Sequence, residues 1–350
     1  MKKIVFLIAH LGGGGAERVT VSLANNFSKD NYNVTVIVFS KKYDEYKLDD
    51  DVHVEYLPSR DSKVPDVYEK TKALKQYIAD VNPDYVCSLG FSYRFVLLSG
   101  LLSKYKFVYS ERNDPRKMYN KIDYAIVKYC LRKSYRVVFQ TEEAKNIFSK
   151  SIQDKSTVIA NPLKDNLPAA YHGKREKRII AFSRLNKQKN IPLMLRAFKS
   201  FHENFPEYKL EIYGRGEIED ELKKYADNLG ISEWVDFKGF NPDVHSAIIK
   251  ARCFLSTSDY EGISNSMLES LAIGLPCICT DCPVGGAAMF VRNGTNGFLV
   301  PVNDEKAIVE KLNLIATNDA LVTSLSINAE KIRDILSLES ICEQWKNIMG

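Results

Sequence analysis

The sequence predicts an α/β protein made of two doubly wound parallel sheets in tandem, and three observations predict it. Short apolar runs rich in Val, Ile and Tyr alternate with amphipathic segments of about ten to fifteen residues, the pattern of parallel strands joined by crossover helices. The 350 residues suffice for about two domains. Loops rich in glycine and charge recur just after the expected strands, where open α/β sheets bind their ligands.

In the first half, strands are expected at Lys3–Ala9, Asn33–Phe39, His53–Leu57, Tyr85–Leu89, Lys106–Ser110, Arg136–Gln140 and Thr157–Ala160, with helices starting near Ala16, Pro65, Tyr93, Tyr119 and Glu142. The stretch Leu163–Lys177, after Asn161-Pro162, has no clear period and reads as a linker. The second half repeats the alternation. Its strands are expected at Arg178–Phe182, Tyr208–Tyr213, Val235–Lys238, Cys253–Thr257, Pro276–Thr280 and Gly297–Val300. Helices open near Ile191, Glu217, Val244, Ser264 and Asp304, and two more close the chain. Two such sheets are expected to face a central cleft lined by strand-end loops.

Composition narrows the function classes. At 45% hydrophobic and 27% charged residues the chain is an ordinary globular one, not a disordered or collagenous one. A net charge of +5 with no RNP box or paired Cys/His finger argues against a nucleic-acid partner. Seven cysteines, an odd number in a chain too large for a disulfide scaffold, read as reduced thiols and a cytoplasmic location. Cys277, Cys279 and Cys282 lack a nearby fourth ligand, so no metal is expected. The apolar start runs into four glycines without a cleavage site and reads as a buried strand. Arg94 and Lys104 break the best apolar stretch, so no membrane span is expected.

Four loops carry the candidate chemistry. Gly12 to Gly15, between a strand and a helix, would let backbone N–H groups approach a phosphate at Gly14 and Gly15, though such a loop also serves as a flexible turn. It is neither a Walker A loop nor a dinucleotide fingerprint, since Glu17 and Arg18 stand where a third glycine would be. Arg184 and Lys189, five residues apart after a strand, can straddle a diphosphate and neutralise charge on a leaving group; a solvated basic loop is the plain alternative. Gly214-Arg215-Gly216 is a tight strand-to-helix turn. In the fourth, Glu261 and Glu269 bracket Gly262, Ile263, Ser264 and Asn265 at a helix start, one carboxylate before the helix and one inside it. Ser266 and Glu269 also match a capping box, which would be purely structural.

These motifs, with the Asn-Gly-Phe-Leu-Val-Pro segment starting at Asn296, come in the order seen in retaining glycosyltransferases of family 4, which the chain resembles over nearly its whole length. The resemblance is nearest to bacterial enzymes that assemble polysaccharides or lipid-linked glycans, many of which carry a Ser-Glu-Arg-x-x-Pro segment like Ser110 to Pro115. It implies the GT-B architecture: Rossmann-like domains over residues 1–163, for the acceptor, and 164–335, for the nucleotide-sugar, with a helix in 336–350 crossing back. It further implies that Arg184 and Lys189 hold the donor diphosphate, Glu261 lies by the transferred sugar and Glu269 binds the ribose hydroxyls. Gly15, with Gly14, would abut the diphosphate, while Arg215, Gly214, Gly239 and Phe240 belong to the substrate site. Such enzymes need no metal and no cofactor.

Two departures stand out. Many relatives carry a histidine where this chain has Glu111-Arg112, and a glutamate where it has Ala288. The expected reaction moves a hexose or N-acetylhexosamine from a nucleoside diphosphate, UDP above all, to a lipid-linked glycan with retention. Front-face attack, the leaving diphosphate taking the acceptor proton, is the mechanism the resemblance implies. A sugar-nucleotide epimerase and a non-catalytic partner subunit remain as alternatives. Finally, Lys117, Lys121, Lys128, Arg132 and Arg136 would form one basic helical stripe beside Tyr124 and Leu131, suited to the inner face of an anionic membrane or, more plainly, to solvent.

Overall fold

The computed structural model describes residues 1–41, 46–58, 67–90 and 92–350. The chain divides into two compact units, Met1–Pro162 with Ser337–Gly350, and Leu163–Leu336.

The first unit holds a seven-stranded parallel sheet: β1 (Lys3–Ile8), β2 (Asn33–Val38), β3 (His53–Tyr56), β4 (Tyr85–Leu89), β5 (Lys106–Glu111), β6 (Arg136–Phe139) and β7 (Ser156–Val158). Their order is β3-β2-β1-β4-β5-β6-β7. Phe6 lies opposite Val36 on one side and Cys87 on the other, and all three are buried, as expected of a parallel strand covered on both faces. The order reverses between β1 and β4, so the loops that leave these strands, Gly12 to Gly15 and the turn at Gly90, flank the switch point. The closing helix, Leu338–Met349, buries Trp345 and packs against the helix Gly15–Lys29. Lys346 Nζ joins Asp30 Oδ2 at 2.5 Å across that contact.

The second unit holds a six-stranded parallel sheet: β8 (Arg178–Phe182), β9 (Lys209–Tyr213), β10 (Val235–Gly239), β11 (Cys253–Ser256), β12 (Cys277–Thr280) and β13 (Gly297–Val300). Its order is β10-β9-β8-β11-β12-β13, with the reversal between β8 and β11. The amphipathic helix Ile191–His202 buries Leu195, Phe198 and Phe201 against the sheet residues Leu210 and Ile212.

Several expectations change in detail. The helix start near Pro65 lies outside the described residues; the described helix there is Val67–Val81. The basic stripe does not form one helix. Lys117 is on the short helix Pro115–Met118, Arg136 is in β6, and only Lys121, Lys128 and Arg132 share the helix Lys121–Lys133. The break has a cause: Asn120 is extended and caps the second helix, its Oδ1 accepting from the N–H groups of Ile122 and Asp123. Leu131 is buried in the core instead of lying beside the cations. The stretch Leu163–Lys177 carries no helix or strand, yet it is not a free tether. Arg175 Nη1 donates to Ile249 O and Ala251 O at 3.1 and 3.0 Å, pinning the segment to the second unit. Burial pushes that guanidinium down to about 10.

Candidate active site

In the second unit the site is built at the switch point. The loops after β8 and β9 touch because two glycines let them: a Cβ on Gly214 would lie 1.8 Å from Ser183 O, and one on Gly216 2.0 Å from Leu185 O. Leu185 N donates to Arg215 O at 2.9 Å and Gly214 N to Gly239 O at 2.8 Å. Hence Arg184, Arg215, Gly239 and Phe240, far apart in sequence, stand on adjoining loops. Phe240 is exposed, 52% of its surface facing solvent.

The loops after β8 and β11 are clamped in turn. Asp259 N donates to Gln188 O at 2.9 Å, Gln188 Nε2 to Tyr260 O at 2.8 Å, and Thr257 Oγ1 to Lys189 O at 3.0 Å. The clamp sets Lys189 Nζ 2.5 Å from Glu261 Oε2, which also accepts from Ser258 Oγ at 3.0 Å. Both side chains are largely withdrawn from water, with 13% and 18% exposed, so the pair is electrostatically stronger than a surface ion pair. Arg184 is exposed and has no ion-pair partner among the described residues. The two cations expected to straddle a diphosphate are therefore unequal: one is available, the other is held by a carboxylate. A pocket lined by Phe182, Lys189, Thr257 and Ser264 adjoins one lined by Ser258, Glu261, Gly262 and Cys282.

Glu269 sits inside the helix Asn265–Ala272 and is buried. Its Oε2 meets His245 Nε2 at 2.8 Å. The capping-box reading of Ser266 and Glu269 is overturned: the N-cap is Ser264, whose Oγ accepts from Met267 N at 3.4 Å, and Glu269 lies too far into the helix to serve as its reciprocal partner. Gly262 packs against Gly286, where a Cβ would come within 1.6 Å of Gly262 O, and Ile263 is buried beneath the turn.

In the first unit, Gly14 is the extended residue before the helix Gly15–Lys29, and its O accepts from Tyr46 OH at 3.3 Å. A Cβ on Gly14 would lie 2.0 Å from Glu17 Oε2. Glu111 ends β5 and is buried, 2% exposed. Its Oε1 accepts from Arg112 N at 3.0 Å and its Oε2 from Tyr119 OH at 3.2 Å. Burial raises this carboxyl to about 7, against those hydrogen bonds, which hold it down. Arg112 donates to Ser110 Oγ at 3.3 Å and to Asn161 Oδ1. Withdrawal from water lowers its guanidinium to about 9, and the neighbouring Arg18 adds to the effect.

Sequence reasoning missed His245, Ser258, Tyr119 and Asn161. The one signal for His245 is a lone imidazole among the apolar residues Val244, Ala247, Ile248 and Ile249. All seven cysteines are buried free thiols, and among the described residues no group of three or more His, Cys, Asp or Glu side chains is placed to hold a metal ion. Cys282, behind Glu261, is pushed up to about 12 by burial first and by that carboxylate second.

Comparisons with known proteins bear on the family and the fold. Residues 13–166 match the model described as Glycosyltransferase Family 4 and residues 165–332 the one described as Glycosyl transferases group 1. An uncharacterized glycosyltransferase of Haemophilus influenzae is 26% identical, with 100% of each chain covered. A Campylobacter jejuni protein named GalNAc-alpha-(1->4)-GalNAc-alpha-(1->3)-diNAcBac-PP-undecaprenol alpha-1,4-N-acetyl-D-galactosaminyltransferase is also 26% identical, over 100% of this chain and 99% of that one. Among solved structures, Anabaena HepE in complex with UDP and glucose superposes with a TM-score of 0.84 at 17% identity, 99% of each chain being covered.

Proposed function

We propose that this chain, which belongs to the GT-B glycosyltransferases of family 4, transfers a hexose or N-acetylhexosamine from UDP to a lipid-linked glycan with retention of configuration. The observation that carries the reading is the Lys189–Glu261 pair, which joins two adjoining pockets, one lined by Lys189 and one by Glu261, where the second sheet reverses its strand order. The donor is assigned to the second unit. Arg184 and Lys189 take the diphosphate and stabilise the charge that grows on it as the glycosidic bond breaks. Glu261 faces the sugar, where an anion stabilises the developing oxocarbenium ion. Glu269 takes the ribose hydroxyls, and the Arg215, Gly239 and Phe240 loops take the base, with Phe240 as a stacking surface. Ser264 and Asn265 at the helix start, with Gly262 and Ile263, line the diphosphate and sugar. No metal or cofactor enters this scheme.

The first unit is assigned to the acceptor, and its glycine loop at Gly14 and Gly15 offers backbone N–H groups to a phosphate. Glu111 and Arg112 are buried organisers of the loop that meets the acceptor. The Campylobacter jejuni relative's name includes a PP-undecaprenol acceptor, which supports a lipid-linked acceptor here. So does the exposed face of helix Lys121–Lys133, where Lys121, Lys128, Arg132 and Lys133 surround Ile122 and Tyr129, suiting an anionic membrane surface. No described helix is long and apolar enough to cross a membrane.

The test is incubation with UDP-sugars with and without a diphospho-undecaprenol-linked acceptor. Transfer that needs the acceptor and gives an α-linked product from an α-linked donor supports the reading. Conversion of the UDP-sugar alone would mark an epimerase, and neither reaction with any UDP-sugar would mark a non-catalytic subunit.

A further inference from the structure

Buried His245 has no role in the chemistry assigned so far, yet it is paired with Glu269, the carboxylate assigned to the ribose. His245 is on the short helix Val244–Ile248, which follows the Gly239–Phe240 loop, and Glu269 is on the helix that follows the Glu261 loop. Their side chains are 6% and 8% exposed and meet at 2.8 Å. Facing a carboxylate, Nε2 must carry the proton and donate it. The ring edge of His245 is held in turn by Phe182, the last residue of β8, at 5.7 Å between centroids and 86° between planes. Phe182 is itself fixed edge-on against Phe254 of β11 at 5.4 Å. One imidazole thus ties together the strand ahead of Arg184, the helix after Phe240 and the helix of Glu269.

A glutamate has several rotatable bonds, and a buried carboxylate is costly to leave without a donor. A donor on a ring packed edge-on against Phe182, itself fixed by Phe254, removes that freedom before any ligand arrives, so less ordering is left for binding to supply. We propose that His245 is a positioning residue: by donating to Oε2 it sets the Glu269 carboxylate in the orientation that receives the nucleotide's ribose hydroxyls. This inference rests on the reading of Glu269 as the ribose-binding carboxylate, and it adds the group that makes that carboxylate effective.

The experiment titrates UDP, and its dideoxy analogue lacking both ribose hydroxyls, into wild type, Glu269→Gln, His245→Leu, His245→Asn and His245→Gln. The glutamine amide reaches about where Nε2 lies, whereas the asparagine amide stops nearer Nδ1. Wild type is expected to favour UDP over the analogue by about tenfold, the worth of a hydrogen bond to a charged group. Glu269→Gln, His245→Leu and His245→Asn should lose most of that preference, and His245→Gln should keep it. In donor kinetics, His245→Leu should raise KM by a similar factor with kcat nearly unchanged, which a general loss of folding would not do. If the leucine variant fails to fold, the asparagine and glutamine pair decides. Preference intact in His245→Leu or His245→Asn, yet lost in Glu269→Gln, overturns the role of His245 alone. No binding of UDP by wild type, no preference in wild type, or a preference that survives Glu269→Gln overturns the ribose reading and this inference with it.

Discussion

Lys189 Nζ and Glu261 Oε2 meet at 2.5 Å although 72 residues separate them in the chain. The loops after β8 and β11 leave the sheet side by side at its switch point, so the topology brings the pair together. A lysine so paired must be shared with any diphosphate that arrives. Glu261→Gln should therefore leave UDP affinity equal or tighter, since the lysine is released, while turnover falls on the order of 100-fold with the loss of the anion proposed to face the sugar. Calorimetry with UDP and donor kinetics check this; a weakened UDP complex with normal turnover would place Glu261 elsewhere.

Arg184 is exposed and unpaired among the described residues, so its removal should cost the fold little. Arg184→Ala should lower turnover by about 100-fold to 1,000-fold, as removal of one preorganised charge at a developing anion does, and shift the melting temperature by only a degree or two. A chelator should leave the wild-type rate unchanged. Activity that vanishes with EDTA and returns with manganese would overturn the metal-free scheme.

Glu111 gives a pH signature. Its carboxyl is raised to about 7 by burial, above its ordinary value of 4.5, so the folded protein holds a proton that the unfolded chain releases. Stability should thus fall as pH rises from about 4.5 to 7 and level off above, by at most roughly 3 kcal/mol from this group. Glu111→Gln should flatten that part of the curve and be more stable than wild type at pH 8. Chemical denaturation across that range checks it, and parallel curves would contradict it.

The face of helix Lys121–Lys133 predicts lipid dependence. Lys121, Lys128 and Arg132 are exposed around Ile122, itself 72% exposed, and each cation is worth about 1 kcal/mol near an anionic bilayer. Replacing all three with glutamate should abolish sedimentation with anionic vesicles while sparing UDP binding. Equal sedimentation with neutral and anionic vesicles would remove the membrane from the account.

Much of this was legible in the sequence, for physical reasons. Buried parallel strands such as Ile4 to Ile8 read as unbroken apolar runs, and Gly214-Arg215-Gly216 reads as a tight turn, though its close approach to Ser183 and Leu185 shows only in the fold. Other features depend on contacts between distant segments. The sequence pattern points to Ser266 as the capping residue of the helix at Asn265, and only the bond from Met267 N shows that Ser264 caps it. The stripe at Lys117 to Arg136 has helical spacing, but spacing does not reveal that Asn120 starts a new helix. The lone imidazole of His245 does not disclose its role, because its partner is 24 residues away on another helix. Likewise, that Lys189 is paired and Arg184 is not follows from the fold of two loops, not from their residues.

The most direct measurement is a calorimetric titration of UDP into the wild-type protein and the Arg184→Ala, Lys189→Ala double variant. The account predicts one UDP per chain in the wild type, and affinity weakened on the order of 100-fold in the variant, through the loss of two charge-assisted contacts. The melting temperature of the double variant should fall, because Lys189→Ala leaves the Glu261 carboxylate unpaired, and Arg184→Ala alone should leave it nearly unchanged. No heat of binding in the wild type, or equal affinity in the two proteins, would contradict a nucleotide-sugar site at the switch point of the second sheet.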